Sequence, residues 1–231
     1  MDSKAISPEL TQELSVLYSN RFSDTGLEKR TRVWRTLTAH FFDRLIPDNA
    51  TVLDIACGYG EFINYTKAGR RFAIDLNPDV AQHLREDVAL FTCSPVDRMP
   101  ILPGSVDVAF TSNFLEHLSS KEDVSAVFRQ TLSILKPGGR LILMGPNIRY
   151  AAQDYWDFFD HRLPLSDRSV VEGLVAAGYE IERQVPRFLP FSMHGRKPTA
   201  NWMIKLYLRM PLLWRLFGKQ FLVVARKPSE S

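Results

Sequence analysis

Apolar and polar positions alternate between two regimes along this chain. Short apolar runs read as buried strands, and between them apolar residues recur at helical spacing. Val52, Leu53, Ile55 and Ala56 form the first run, with Asp54 set into it. Further runs follow at Arg71–Asp75, Val88–Cys93, Val106–Ser112, Arg140–Met144, Tyr179–Val185 and Phe221–Ala225.

The helical stretches have recognisable ends. Ser7-Pro8-Glu9 supplies an N-cap and a proline at the first helical position, ahead of Leu10, Leu14, Leu17 and Tyr18. A second helix is predicted over Leu27–Leu45, with Val33, Trp34, Leu37 and Phe41 on one side and Pro47 beyond its end. Helices are predicted over Glu61–Lys67 and, after Asn77-Pro78-Asp79, over Val80–Glu86. Ser119 or Ser120 opens another that Lys136-Pro-Gly-Gly139 stops. Ser166 caps Asp167–Ala177, which Gly178 ends. Residues 147–164 read as a long aromatic loop and 198–217 as an apolar, basic, helical insertion that Pro211 must kink or split.

Strands alternating with helices predict an α/β, doubly wound, mostly parallel sheet, with ligand at the carboxyl ends of its strands. The chain reads as one domain over residues 1–231. Residues 1–46 form an N-terminal helical cap, 50–185 a ligand-binding core, and 186–231 the insertion and last strand.

The first strand breaks into Gly58-Tyr-Gly60. A dinucleotide fingerprint needs a third glycine, and here that position is Ile63. Glu61 would repel a pyrophosphate, and no Lys-Ser or Lys-Thr follows, which removes a P-loop. A two-glycine turn flanked by carboxylates suits a positively charged nucleoside without phosphates. Asp75 stands at the end of the second strand, where an acid binds ribose hydroxyls.

Four stretches in register, VLDIACGYGEF, FAIDLNPD, GSVDVAFTSNFLEHL and LKPGGRLILMGPN, resemble the class I S-adenosylmethionine-dependent methyltransferases. The likeness covers about residues 50–185 and is nearest to small bacterial enzymes that modify quinones, lipids, glycans and natural products. It implies a seven-stranded Rossmann-like sheet whose last strand, Lys219–Ala225, is antiparallel. It implies S-adenosyl-L-methionine as cofactor, with Asp54, Ala56, Gly58 and Gly60 around the methionine part. Asp75 would hold the ribose and Leu76 lie against the adenine, as would Val96 and Asp97. Asn113 and Phe114 would line the sulfonium side. Ala56 departs from the glycine usual in that family.

Composition adds an asymmetry. Ten of the 29 Lys and Arg lie between Arg183 and Ser229, where no Asp or Glu occurs; residues 1–182 hold 19 basic and 25 acidic side chains. Basic residues 205, 209, 215 and 219 fall on one arc of the insertion, opposite Leu, Ile, Met, Trp and Phe. Such a pattern fits an anionic membrane surface or a lid over a lipidic substrate. A dimer contact and plain packing are the bland alternatives. Nucleic acid is not expected, because the segment is apolar-rich and no Asn-Pro-Pro-Tyr-type motif follows the fourth strand. Cys57 and Cys93 lack metal or redox spacing, so no metal and a reducing, cytoplasmic setting are expected. No secretory leader is read in the first residues, and no apolar window is long enough to span a membrane.

Five histidines occur, of which His161, in Phe158-Phe-Asp-His-Arg162, lies on the expected ligand face. It reads either as a base for a hydroxyl acceptor or as a brace for its loop. His117 reads as a helix-start contact. Tyr150, Tyr155, Trp156 and Phe159 would form an acceptor pocket, with Arg149 toward an acidic group, unless the loop folds onto the core. The function expected is O-methylation of a small-molecule or lipid- or glycan-linked acceptor. The alternative is a non-catalytic cofactor-binding partner protein that docks to a membrane or another enzyme.

Overall fold

A computed structural model describes residues 24–191 and 200–229. The helix expected over residues 8–18 lies outside them. Seven strands form one sheet: β1 (Thr51–Ile55), β2 (Arg70–Asp75), β3 (Val88–Thr92), β4 (Val106–Ser112), β5 (Leu135–Pro146), β6 (Glu180–Val185) and β7 (Gln220–Arg226). Their order is β3-β2-β1-β4-β5-β7-β6. All pairs among β1–β5 are parallel; β7 runs antiparallel to both β5 and β6, as the resemblance implied. The chain steps outward from β1 through β2 to β3, then returns to β4 on the other side of β1. That reversal opens a crevice at the carboxyl ends of β1 and β4.

Helix α1 (Asp24–His40) lays Val33, Trp34 and Leu37 on one face of the sheet. Phe42, in the 3-10 helix Phe42–Leu45 that follows, is fully buried among Trp34, Phe62 and Phe110. The predicted single helix over 27–45 is thus an α-helix and a separate short turn. Asp107 ties the foot of the sheet together, accepting from Thr51 N and from Lys136 Nζ, both at 2.8 Å.

The helix expected over Glu61–Lys67 is a run of turns instead. Asn64 N bonds Gly60 O and Thr66 N bonds Phe62 O, but the ladder stops there. Asp43 intercepts it, taking the Thr66 hydroxyl and the Lys67 amide, each at 3.0 Å. The helix expected over Val80–Glu86 is a 3-10 helix, Pro78–His83, opened by Asn77 accepting from Asp79 N. It ends where Asn64 Oδ1 captures Arg85 N and Asn64 Nδ2 reaches His83 O. Local side-chain bonds have displaced the helical ladder in both crossovers.

On the opposite face, α2 (Lys121–Ile134) starts at Ser120, which accepts from Asp123 N. The aromatic stretch after β5 is not all loop. It begins with α3 (Ile148–Tyr155), because Asn147 accepts from Arg149 N and anchors the turn through Asp167. Helix α4 (Asp167–Ala176) opens on a capping box of Ser166 and Ser169. The insertion is split, as Pro211 requires, into α5 (Asn201–Arg209) and α6 (Pro211–Phe217). Ile204, Leu208 and Trp214 bury it against α1 and Phe188. Among the described residues, no helix is long and apolar enough to cross a membrane.

Candidate functional site

The crevice begins where β1 ends. Ala56, Gly58 and Gly60 all take left-handed backbone, with φ of 55°, 54° and 73°. Ala56 holds this at a cost of roughly 1–2 kcal/mol that glycine would avoid. The two glycines serve different purposes. A Cβ on Gly58 would meet only Glu61 Oε2, at 3.7 Å, so its bare backbone faces open space. A Cβ on Gly60 would lie 2.5 Å from Leu84 Cδ2 and 2.8 Å from Asn64 Nδ2, so this glycine lets the turn pack.

Asp75 fastens the turn from below, with Oδ2 accepting from Gly58 N at 2.8 Å and Oδ1 from Asn77 N at 2.9 Å. With the Leu76 amide also facing it, the carboxylate keeps about one acceptor position for a ribose hydroxyl. Burial raises the Asp75 carboxyl above its usual range, against three backbone N–H bonds that lower it. Asp54 is more extreme. Burial, with Glu61 second, pushes its carboxyl well above the ordinary value. Arg30 of α1 pairs with the buried Glu61. Three acids around one bare-backbone turn suit a cationic ligand, and the φ values and open Cβ position fit a nucleoside approaching at Gly58. Leu76 is half-buried beside this floor. Val96 is half-buried and bonded by Gln130, while Asp97 and Asn113 are exposed and Phe114 half-buried on the loops after β3 and β4.

A second cluster lies past the ends of β4 and β5. Glu116, His117 and His161 each offer an atom within 4.8 Å of the other two. Glu116 and His161 are buried. The loop is hooked back by Arg162 N and Leu163 N, both donating to Glu116 O. His117 Nδ1 lies 3.2 Å from Asp160 Oδ2 and contacts the Asp160 carbonyl. His161 stacks on Phe158 at 4.8 Å and tilts against Tyr155 at 4.6 Å. No metal ligand set was expected here, yet three donors converge.

The predicted aromatic pocket divides. Tyr155 is fully buried and donates its hydroxyl to Leu163 O at 2.7 Å, so it braces the loop. Trp156 and Phe159 are 61% and 97% exposed and point away from the core. Arg149 pairs with Asp167 and lies over Tyr150, which also receives Arg187. A cavity of about 460 Å³ is lined instead by Asp154, Asp157, Phe158, Phe191, Phe217 and Lys219. Lys219 pairs with Asp154 at its edge. Sequence reading missed Arg30, Glu116 and Phe158 as site residues. The Glu116-His117 pair immediately after the fourth strand was the available signal for one of them.

Residues 53–143 match the family described as a methyltransferase domain. The ubiquinone biosynthesis O-methyltransferase of Xanthomonas axonopodis pv. citri is 34% identical over 118 residues, 47% of this chain and 48% of that protein. The chain spans less than half the length of the curated relatives it matches. Among solved structures, a chain of the complex between the Haloferax volcanii Trm112 methyltransferase activator and a methyltransferase superposes with TM-score 0.68. Identity there is 20%, over 96% of this chain and 98% of that one. An S-adenosylmethionine-dependent methyltransferase from Archaeoglobus fulgidus gives 0.66 at 17% identity, over 92% and 99%. The matched segment runs from β1 to β5 through the Gly58 turn and Asp75, so this part of the chain is a methyltransferase domain, on the fold that the S-adenosylmethionine-dependent methyltransferases share.

Proposed function

We propose that the protein transfers a methyl group from S-adenosylmethionine to an oxygen of a small-molecule or lipid- or glycan-linked acceptor, with His161 as base. What carries this reading is the convergence of Glu116, His117 and His161 beside an aromatic-lined cavity at the carboxyl ends of β4 and β5. The name of the Xanthomonas relative, an O-methyltransferase, supports oxygen as the acceptor atom.

Bound S-adenosylmethionine supplies a methyl group on a positively charged sulfur, and loss of the methyl leaves a neutral thioether. The chain's own work is placement and proton removal. Holding the acceptor oxygen in line, about 3 Å from the carbon, replaces an encounter with a fixed geometry worth several kcal/mol. The His161 imidazole would take the proton that the acceptor hydroxyl gives up as its oxygen is methylated. Proton transfer of this kind adds roughly 10²–10⁴-fold. The Glu116 carboxylate stabilises the imidazolium so formed, and Phe158 shields the ring from water.

The test uses the full protein with a panel of phenolic, catecholic and polyprenyl-alcohol acceptors, reading S-adenosylhomocysteine release. His161→Ala and His161→Gln are expected to bind S-adenosylhomocysteine as the parent does and to lose about 10²–10⁴-fold in kcat, with the acidic limb of the pH profile. Undiminished turnover removes His161 as base. Cofactor binding without methyl release to any acceptor favours the non-catalytic partner protein.

A further inference from the structure

Lys205 and Arg209, one turn apart on α5, face His40 at the end of α1 and Arg44 in the following 3-10 helix. With Leu208 they enclose a cleft of about 280 Å³. Among the described residues none of the four is paired with a carboxylate. The packing of buried Ile204 and Leu208 against α1 holds the cations together. Burial lowers the His40 pKa, and Lys205, Arg209 and Arg44 lower it further, with no acid opposing them. Donors gathered without an acceptor match a multi-oxygen anion, and phosphate is the natural one. The cleft is separate from the cofactor turn. Arg30 marks the turn, and His40 lies ten residues further along α1, roughly 15 Å away.

The same helices carry an unusual surface. Among the described residues, seven of the eleven exposed large apolar side chains fall between Trp202 and Phe217. On α5, Trp202 and Leu206 point outward, Ile204 and Leu208 inward, and the two cations lie on the flank. Phe217, 59% exposed, also lines the cavity beside Phe158, so the apolar face runs into the candidate acceptor site.

We propose that α5 and α6 dock the protein on an anionic lipid surface, with a lipid phosphate in the His40–Arg44–Lys205–Arg209 cleft and the outward apolar side chains in the acyl boundary. Charge selects this occupant over a second copy. Residues 183–231 carry ten Lys and Arg against one acid, and a two-fold contact would press like charge on like. Cations flanking an apolar face are the features an interfacial helix uses on anionic bilayers. Docking narrows the acceptor, under the methyl-transfer reading, to a lipid-borne molecule entering past Phe217.

Sedimentation of the full protein with phosphatidylcholine vesicles, and with vesicles containing added phosphatidylglycerol, tests this. Binding is expected only to the anionic vesicles, weakening as salt rises. Trp202 emission should shift to the blue, and Trp202→Phe should remove the shift. Arg44→Gln/Lys205→Gln/Arg209→Gln is expected to bind roughly 10–100-fold more weakly. Leu206→Ser/Leu216→Ser should lose the apolar share. Both variants should keep the thermal shift with S-adenosylhomocysteine and turnover on soluble acceptors, which separates failure of docking from failure of the catalytic reading. No vesicle binding, equal binding to both compositions, or full binding by the triple variant overturns the proposal. Inorganic phosphate that abolishes binding at matched ionic strength assigns the cleft to a free anion. Light scattering that finds a dimer in the parent and a monomer in Leu206→Ser/Leu216→Ser assigns the face to a second copy.

Discussion

Gly58 N donates to Asp75 Oδ2 at 2.8 Å, so the residue expected to bind ribose also holds the turn over which the methionine part would lie. One carboxylate would therefore serve both halves of the expected cofactor site, on strands that are neighbours in the sheet. Asp75→Asn should damage both, because an amide presents a donor to one of two N–H groups. Hydrogen bonds to charged groups contribute about 1.5–3 kcal/mol, so S-adenosylhomocysteine affinity is expected to fall roughly 10–150-fold. Calorimetry reads this directly, and an unchanged Kd would remove the ribose assignment.

The two glycines of the turn should respond differently to the same substitution. Gly58→Ala meets open space and carries only the left-handed penalty of roughly 1–2 kcal/mol. It is expected to weaken cofactor binding more than the fold. Gly60→Ala adds a clash with Leu84 and Asn64 and should destabilise by about 2–5 kcal/mol, strain and overpacking together. Paired melting curves with and without S-adenosylhomocysteine separate the effects; the reverse order would mean that the open face at Gly58 is not the ligand's.

Asp54 should trade stability for binding. Its folded pKa is raised above the unfolded value, chiefly by burial, with the Glu61 charge next. Such a group contributes stability below its unfolded pKa and loses it as pH rises through the folded pKa. Asp54→Asn removes that loss. Without ligand, the variant's Tm advantage is expected to grow from acid to mildly alkaline pH, while its stabilisation by S-adenosylmethionine shrinks. A Tm difference that does not change with pH would contradict the burial account of this carboxyl.

Chelation distinguishes two uses of the Glu116–His117–His161 cluster. Three donors within 4.8 Å of one another have the chemistry to take a divalent cation, and one His with one carboxylate also makes a base and its stabiliser. Under the base reading, turnover should survive dialysis against EDTA. Loss restored by Zn²⁺ or Mn²⁺ would reassign the cluster to a cation.

Strands such as β1 and β4 were legible as short apolar runs between turn residues, and Asp54 and Asp75 stood out as acids inside or at the end of such runs. The crossovers were not. What ends the ladder after Gly60 is Asp43, from an element eighteen residues earlier than Glu61, and no local pattern records that bond. The aromatic stretch failed for a related reason. Tyr155, Trp156, Phe158 and Phe159 look equivalent in sequence, and only the Tyr155–Leu163 bond and the ring of His161 decide which turn inward. The basic arc on α5 was visible, but half of its cleft comes from His40 and Arg44, more than 150 residues away in the chain.

The turns after Gly60 have a kinetic consequence. A helix there would open only with its neighbours, whereas these residues are pinned one at a time by Asn64, Thr66 and Asp43. Amides of residues 61–67 should therefore exchange with solvent long before those of β1, and slow sharply when the cofactor settles on Gly58. On this account the floor of the site opens before the sheet does, so it is also where occupancy will be most plainly felt.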